Sequence, residues 1–491
     1  MGLSTYSVGV APSKPPTRAE FLCTDLDGAI LVSDSLWEST LQLLSQNILY
    51  LFLLPVWLLK GKAALKQEIA RRVSLDPSML PQREELIEFL WQQKLEGRKL
   101  ILATGADQKI ASALAERLGL FDSVVASNGQ KNLTGRNKRD AILAVTSGKA
   151  FDYIGNDWDD IPVWKAANSA FLVNPTPHLL KVVAKRSKVA GIFEERETRW
   201  ASLLQALRPQ HWVKNLLVFV PIVMAHQLTQ LSGLSHAIFA FVAFSLCASA
   251  VYVVNDLFDL PADRQHPTKK SRPFASGEVP VWAGLATVPL LFTAGIFAAL
   301  FTSSTGFLAM LCMYIAATTF YSLYAKSVPI LDVLLLTGLY LIRILAGGQA
   351  ANVLVSPWLL AFSMFLMLSL AFTKRNAELV GRLANPELSS GVSKRNYQIQ
   401  DREVIQQFGV ASGYLSVLVL ALYINGKEVT ILYRHPQWIW LACPMLLFWI
   451  SRIWFLANRG KMSEDPVVFA AKDSLSYCLA FCLIFILLLA A

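Results

Sequence analysis

Charge is scarce in this chain. Asp, Glu, Lys and Arg together make up only 16% of its 491 residues. Hydrophobic residues supply 54%, with a mean hydropathy of +0.43. That balance excludes an ordinary soluble or disordered chain and indicates a polytopic membrane protein. The six cysteines (Cys23, Cys247, Cys312, Cys443, Cys478, Cys482) form no C-x-x-C pair, and most lie in apolar runs. They read as small core residues, not as disulfides or metal ligands. No basic stripe with interleaved aromatics stands outside the apolar runs, so nucleic acid is not an expected partner. The net charge of +10 instead fits a cytoplasmic loop bias and affinity for anionic headgroups. The first residues, MGLSTYSVGVAPSKPPTRAE, lack an apolar signal core. Residues 1–19 read as a disordered tail, and the segment after them is expected to stay in the cytoplasm.

What is present centres on NDLFDLPADRQHPTKKSRP, which closes an apolar run and carries Asn255, Asp256, Asp259 and Asp263 before turning basic through Arg264, Lys269, Lys270 and Arg272. On a continuing helix Asn255, Asp259 and Asp263 fall one turn apart on one face. Acids at a membrane-helix end are costly to desolvate and need a partner. Mg²⁺ meets that need and keeps positions open for substrate phosphates. The Asn-x-x-x-Asp-x-x-x-Asp pattern resembles the first signature of the UbiA-type polyprenyltransferase superfamily. The longer run is similar to its branch that makes decaprenylphosphoryl-5-phosphoribose. The resemblance extends over about Leu207 to Ala491.

The N-terminal third alternates short apolar strands with helical patterns, which predicts a parallel α/β sheet whose ligands bind at the carboxyl ends of the strands. Phe21–Thr24 leads into Asp25-Leu26-Asp27-Gly28, Lys99–Ala103 into Thr104-Gly105, and Phe151–Gly155 into Asn156-Asp157-Trp158-Asp159-Asp160. These three polar clusters are expected to converge. Their order resembles the haloacid dehalogenase (HAD) phosphohydrolase family over about Ala19 to Ser187. The resemblance implies that Asp25 is the nucleophile, Asp27 the general acid/base, Thr104 a ligand of the phosphoryl oxygens and Lys138 the balancing cation. Asp157 and Asp160 would complete an Mg²⁺ site with Asp25 and Asp27. The family usually has an acid directly after the glycine, and Asn156 occupies that place here. Between the first two clusters, the apolar run 48–59, flanked by Lys60, Lys62 and Lys66, is too short for a span of about 20 residues. It reads as a cap element dipping into the inner leaflet with its lysines at the headgroups.

Further along, apolar runs near 213–231, 236–254, 281–301, 305–325, 328–346, 354–373, 405–424, 437–457 and 467–490 give about nine membrane spans. Basic residues gather in alternate loops (Arg264 to Arg272, Lys326, Lys374 to Arg402, Arg459, Lys461), with only Lys427 and Arg434 dissenting. The positive-inside rule then places the acid-rich loop and the N-terminal domain in the cytoplasm. Tyr321 and Lys326 end one span, and Asp332 and Arg343 share a face of the next. Those two residues are expected either to line a polar cavity or to form structural ion pairs with other helices. After Phe372, where prenyl diphosphate users carry a second aspartate-rich motif, this chain has TKRNAELVGRLANPE. That departure is similar to the phosphoribosyltransferase branch.

The expected architecture is therefore an N-terminal α/β HAD-like (Rossmannoid) domain over 20–190, a linker over 191–212, and an all-α, UbiA-like polytopic membrane domain over 213–491. The resemblances imply a membrane enzyme of a bacterial inner membrane that uses Mg²⁺, with its active sites in the cytoplasm. It would transfer 5-phosphoribose from 5-phosphoribosyl diphosphate to a polyprenyl phosphate, and the HAD-like domain would then remove the 5-phosphate. Asp259 and Asp263, with Asn255 and Asp256 near them, would hold the metal. Lys269, Lys270 and Arg272 would meet donor phosphates, and Arg343, Lys374 and Arg375 the lipid phosphate. The alternative is a prenyl diphosphate:aromatic acceptor prenyltransferase with a non-catalytic or regulatory HAD-like domain. A homo-oligomer is left open.

Overall fold

The computed structural model describes residues 18–194, 199–384, 396–427, 429–462 and 465–490. Nearly all of the expected tail, and Lys394 and Arg395 of the basic loop, lie outside the described residues. The chain divides into two compact units, Met1–Arg199 with Ala275–Trp282, and Trp200–Phe274 with Ala283–Ala491.

The first unit is built on a six-stranded, all-parallel sheet: β1 (Phe21–Thr24), β2 (Lys99–Asp107), β3 (Ser123–Ser127), β4 (Phe151–Gly155), β5 (Ser169–Val173) and β6 (Val189–Phe193). Their order is β3-β2-β1-β4-β5-β6. This is a doubly wound Rossmannoid sheet, and its strand order reverses between β1 and β4, where such folds bind ligands. The central strand reads FLCT and is buried throughout, as a strand covered on both faces must be. The sheet runs through Phe193, beyond the expected boundary at residue 190. Cap helix α1 (Lys62–Arg72) follows the run 48–59, which folds as a 3₁₀ turn and a short helix, Leu53–Leu59. Helix α2 (Gly135–Val145) carries Lys138.

The second unit is helical. Its principal helices are α3 (Leu231–Phe258), α4 (Leu260–Gln265), α5 (Val281–Leu300), α6 (Thr305–Leu323), α7 (Leu331–Ala351), α8 (Pro357–Ala384), α9 (Arg402–Ile424), α10 (Ala442–Asn458), α11 (Pro466–Ala470) and α12 (Ser474–Ala490). Among the described residues seven helices are long and apolar enough to cross a membrane, which makes this an integral membrane protein. The expected count of about nine differs at the two ends. The last apolar stretch yields α12, at 17 residues shorter than a full span. The first, near 213–231, is a 3₁₀ segment, Pro209–Phe219, followed by a short helix, Val220–Met224. Pro221 cannot donate to an α-helical ladder, and the Val218 carbonyl packs against Gly347 of α7. A Cβ at Gly347 would stand 2.0 Å from that oxygen.

Candidate functional site

In the α/β unit the three strand-end clusters meet. Asp25 follows β1, with its backbone N–H bonded to Ile154 of β4 (3.0 Å). Register pairs Thr24 with Leu102 of β2 and Ile154 of β4, so Asp25 stands between the ends of both strands. Lys138 Nζ donates to Asp25 Oδ2 at 2.6 Å, to Asp160 Oδ1 at 2.9 Å and to the Tyr153 hydroxyl at 3.0 Å. Burial opposes the charge on Lys138, but Asp160 and Asp25 hold its ammonium above the usual range. Burial raises the Asp25 carboxyl, with Lys138 opposing. Asp27 accepts from the Ser35 backbone N–H at 2.8 Å and from the Ser35 hydroxyl at 3.0 Å. Burial, with the Asp34 charge beside it, pushes Asp27 up to about 8. A carboxyl that keeps its proton near neutrality suits a general acid. Thr104, fully buried within β2 where its register with β3 shifts, accepts from the Ala106 N–H at 3.1 Å.

The residues expected to complete a metal site divide differently from the sequence reading. Asp160 spends Oδ1 on Lys138 and on the Tyr153 hydroxyl (2.8 Å), and Oδ2 on the backbone N–H groups of Asn156 and Asp157. Asp157 is exposed, and its Oδ1 caps the following turn through the Trp158 N–H at 2.6 Å. Asn156 instead has a buried Oδ1 with no hydrogen-bond partner. Its side chain covers Gly28, whose φ of 71° is a conformation that glycine favours. A Cβ at Gly28 would lie 2.1 Å from Asn156 Nδ2. An orphaned amide oxygen over the Asp25–Gly28 loop is a donor that suits a hard cation. A Mg²⁺ held here would draw on this amide together with the Asp25 carboxylate and water. Lys66 also departs from expectation. Its Nζ donates to the Gly105 carbonyl (2.6 Å) and Asn132 Oδ1 (3.2 Å), so α1 docks on the carboxyl-terminal part of β2 and this lysine does not point to headgroups.

In the helical unit, the trio Asn255, Asp259 and Asp263 keeps its one-turn spacing across the junction of α3 and α4. The Asp259 N–H bonds the Asn255 carbonyl at 2.9 Å, and the Asp263 N–H bonds the Asp259 carbonyl at 2.8 Å. Pro261, lacking a donor, marks the break between the helices. Arg272 Nη1 bridges Asp263 Oδ2 (2.5 Å) and Asp256 Oδ1 (3.3 Å), and Arg208 also binds Asp256 at 2.6 Å. Lys269 lies 4.0 Å from Asp263, Lys326 lies 3.7 Å from Asp259, and Lys270 is exposed. Asp256 is thereby an anchor for two arginines, Asp263 shares Arg272 with it, and Asp259 is the most exposed of the three carboxylates.

The intramembrane charges resolve as separate groups. Asp332 and Arg343 share α7 but not a bond. Asp332 pairs with Arg375 Nε of α8 at 2.5 Å and accepts from the Tyr397 hydroxyl at 2.6 Å. Arg375 also binds Glu378 and the Tyr321 hydroxyl, each at 2.9 Å. Asp332, Arg375 and Tyr321 therefore lock helices together. This is the structural ion pair that periodicity allowed, with a partner that periodicity could not name. With Asp332 and Arg375 at 0% and 1% side-chain exposure, Asp332→Asn is expected to destabilise the unit by about 3–5 kcal/mol. The readout is thermal unfolding in detergent, and an unchanged midpoint would show that Glu378 alone suffices for Arg375. Lys374 Nζ sits on Asp465 Oδ2 at 2.9 Å, together with Lys214 Nζ at 2.7 Å. Sequence reading passed over Lys214, Asn215 and Asp465. The available signal was the acidic pair Glu464-Asp465 immediately before Pro466 and an apolar run.

The fold and these sites define an integral membrane protein that carries an acid-rich, cation-lined site on a helical domain, joined to a doubly wound α/β unit. A UbiA prenyltransferase family model matches residues 216–380. The chain is 38% identical to a decaprenyl-phosphate phosphoribosyltransferase of Mycobacterium tuberculosis over 290 residues, 57% of this chain and 91% of that one. An uncharacterized protein of Sinorhizobium fredii, y4nM, is 33% identical over 459 residues, 93% of this chain and 88% of its own length. A solved UbiA homolog from Archaeoglobus fulgidus, bound to DMAPP and Mg2+, superposes with a TM-score of 0.44 at 16% identity, covering 57% of this chain and 98% of that chain. The chain belongs to the UbiA prenyltransferase family.

Proposed function

We propose that the helical unit transfers 5-phosphoribose from 5-phosphoribosyl diphosphate to a polyprenyl phosphate. The observation that carries this reading is the uneven distribution of charge. Asn255, Asp259 and Asp263 fall in line across the α3–α4 junction, whereas the end of α8 carries Lys374 and Arg375 in the run TKRNAELVGRLANPE, where Glu378 is the one acid close to the span. The named activity of the mycobacterial relative supports the same reading. Asn255, Asp259 and Asp263 would hold Mg²⁺, which when bound neutralises a leaving diphosphate. Arg272 and Lys269, already against Asp263, would meet diphosphate oxygens. The bond from ribose C1 to the diphosphate oxygen breaks with its electron pair leaving on pyrophosphate, and a lipid phosphate oxygen forms the new bond to C1. That oxygen is already ionised, so no general base is required.

The α/β unit would then remove the 5-phosphate. Asp25 attacks phosphorus, and the ribose 5-oxygen leaves with the proton of Asp27. Water, deprotonated by Asp27, then releases phosphate from Asp25. Lys138 and Thr104 would balance and position the phosphoryl group. The exposed apolar side chains Leu49, Phe52, Val56 and Leu59 support a cap that leans on a bilayer, where a lipid-linked phosphate resides. The orientation that the basic loops favour puts both sites on the cytoplasmic side.

The test is incubation of the purified protein with Mg²⁺, polyprenyl phosphate and ribose-labelled 5-phosphoribosyl diphosphate, followed by separation of lipids. The expected product is a labelled lipid without its 5-phosphate. No labelled lipid from folded protein, with turnover of a prenyl diphosphate instead, overturns the donor assignment. Asn156 provides a second check. A neutral amide in the metal position gives weaker affinity than a carboxylate, so Asn156→Asp is expected to tighten Mn²⁺ binding to the α/β unit by about tenfold or more. Asp157→Asn is expected to leave it unchanged. Both are read by Mn²⁺ paramagnetic resonance on full-length protein, and the reverse ranking would return the metal to Asp157.

A further inference from the structure

A phosphatase that protonates its leaving group holds that group beside the acid. In the α/β unit Asp25, Lys138 and Thr104 account for the phosphoryl group alone, and the sugar on the leaving oxygen belongs on the side of Asp27. A pocket opens there. Ser35, which binds both oxygens of Asp27 through its N–H (2.8 Å) and its hydroxyl (3.0 Å), stands in the wall. Leu36, Ile69 and Ile110 give the pocket an apolar side, and Lys66 and Asp107 give it a polar one. Lys66, from cap helix α1, uses two of its three N–H groups on neutral acceptors, the Gly105 carbonyl (2.6 Å) and Asn132 Oδ1 (3.2 Å). Burial lowers the ammonium from its usual range, and the charges of Asp27, Asp34 and Asp25 oppose that shift. Asp107 ends β2 at 8% exposure, and its Oδ1 caps the following helix through the Lys109 N–H at 2.9 Å. That bond occupies one of the roughly four lone-pair positions a carboxylate offers. The Lys109 ammonium turns instead to the carbonyls of Ala70 (2.9 Å) and Val73 (3.5 Å) at the end of α1, so Lys66 is the cation in the pocket wall.

One ammonium donor, one carboxylate acceptor and an aliphatic wall match a sugar ring. A vicinal diol donates its hydroxyl protons to a carboxylate and accepts from an ammonium, while the C–H face of the ring packs on apolar side chains. A second anion fits less well, because Asp107 lines the pocket and the carboxylates of Asp27, Asp34 and Asp25 offset the charge of Lys66. We propose that this pocket binds the vicinal diol of a furanose 5-phosphate beside Asp27, with Lys66 and Asp107 as its specificity-determining residues. The inference rests on the phosphatase reading and names what that activity selects, which is the pentose and not merely a phosphate at the membrane.

The experiment uses the full chain in detergent with Mg²⁺. Phosphate release is measured from ribose 5-phosphate, 2-deoxyribose 5-phosphate and ribose 1,5-bisphosphate, and binding of the first two to Asp25→Asn protein is followed by titration calorimetry. Wild type is expected to favour ribose 5-phosphate over its deoxy analogue by about tenfold or more in kcat/KM, because the analogue leaves a polar group of the pocket unpaired. Lys66→Met is expected to remove most of that preference, chiefly by raising KM for ribose 5-phosphate, and Lys66→Arg to restore part of it. Asp107→Asn keeps an oxygen for the Lys109 N–H and is expected to act in the same direction, which covers a Lys66→Met protein that fails to fold. A lysine that only pins α1 to β2 would lower turnover of both sugars in proportion, and a preference unmoved by either substitution overturns the assignment. A wild type that treats the two sugars alike overturns it as well. So does a Lys66→Met effect confined to ribose 1,5-bisphosphate, which would make the pocket a reader of a second phosphate. Binding to Asp25→Asn protein that discriminates the sugars, with no turnover by wild type, overturns the phosphatase reading and leaves the pocket standing. Equal binding with no turnover overturns both.

Discussion

Asp259→Ala is expected to lower formation of labelled lipid by at least about a hundredfold, because it removes the central carboxylate of the metal-holding trio. The neighbouring acids cannot take over. Asp256 is held by Arg208 and Arg272, and Asp263 shares Arg272 with it. Asp259 is the more exposed carboxylate, at 29% against 5% for Asp263 and 6% for Asp256. Its removal should therefore cost little stability, and the protein should elute and melt like the wild type. The loss should fall on kcat, since leaving-group charge develops in the transition state. Asp256→Ala is different in kind. It leaves Arg208 without its carboxylate, so it is expected to lower the melting temperature as well as the rate. A variant at Asp259 that keeps full activity would place the leaving group elsewhere and would sink the assignment.

Much of this arrangement was legible in the sequence because the chemistry sits where regular structure ends. Asp25, Thr104 and Asn156 each follow a short apolar run, and a parallel sheet brings such ends together whatever the intervening loops do. The trio at the α3–α4 junction was readable for a similar reason, since helical spacing alone puts its side chains in line. Strands β3, β5 and β6 carry no chemistry at their ends, and they left only brief runs such as Val124-Val125-Ala126 that helices also contain. Tertiary partners were beyond reach. Periodicity puts Asp332 and Arg343 on one face of α7, yet their bonds go to Arg375 and to Asn215, on other elements. Lys66 was misplaced because a lysine beside an apolar run reads as interfacial, whereas the fold turns α1 back onto Gly105. Asn156 is the instructive case. Its amide looked like a defect in an acidic motif, and the aspartate next to it looked like the replacement. In the structure Asp157 caps its own turn and Asn156 lies against the loop of Asp25.

Asp25→Asn is expected to divide the two activities. Labelled lipid should form at the wild-type rate, and its 5-phosphate should persist, with phosphatase turnover down by at least about a thousandfold. The amide cannot attack phosphorus, and no other carboxylate is placed to do so. Asp160 is engaged by Lys138, Tyr153 and two backbone N–H groups, and Asp27 by Ser35. The fold should tolerate the change, because Lys138 keeps Asp160 and Tyr153 as partners. Lys138→Met tests the same reading from the other side. It would leave two buried carboxylates, Asp25 and Asp160, without their shared cation, and so should cost stability along with activity. The comparison decides between a working phosphatase and a scaffold that only tethers the transferase. In a scaffold, wild type and Asp25→Asn would release the same phosphorylated lipid. In a phosphatase, only the variant would, and adding a water-soluble phosphatase of broad specificity to the variant's product should regenerate the wild-type lipid.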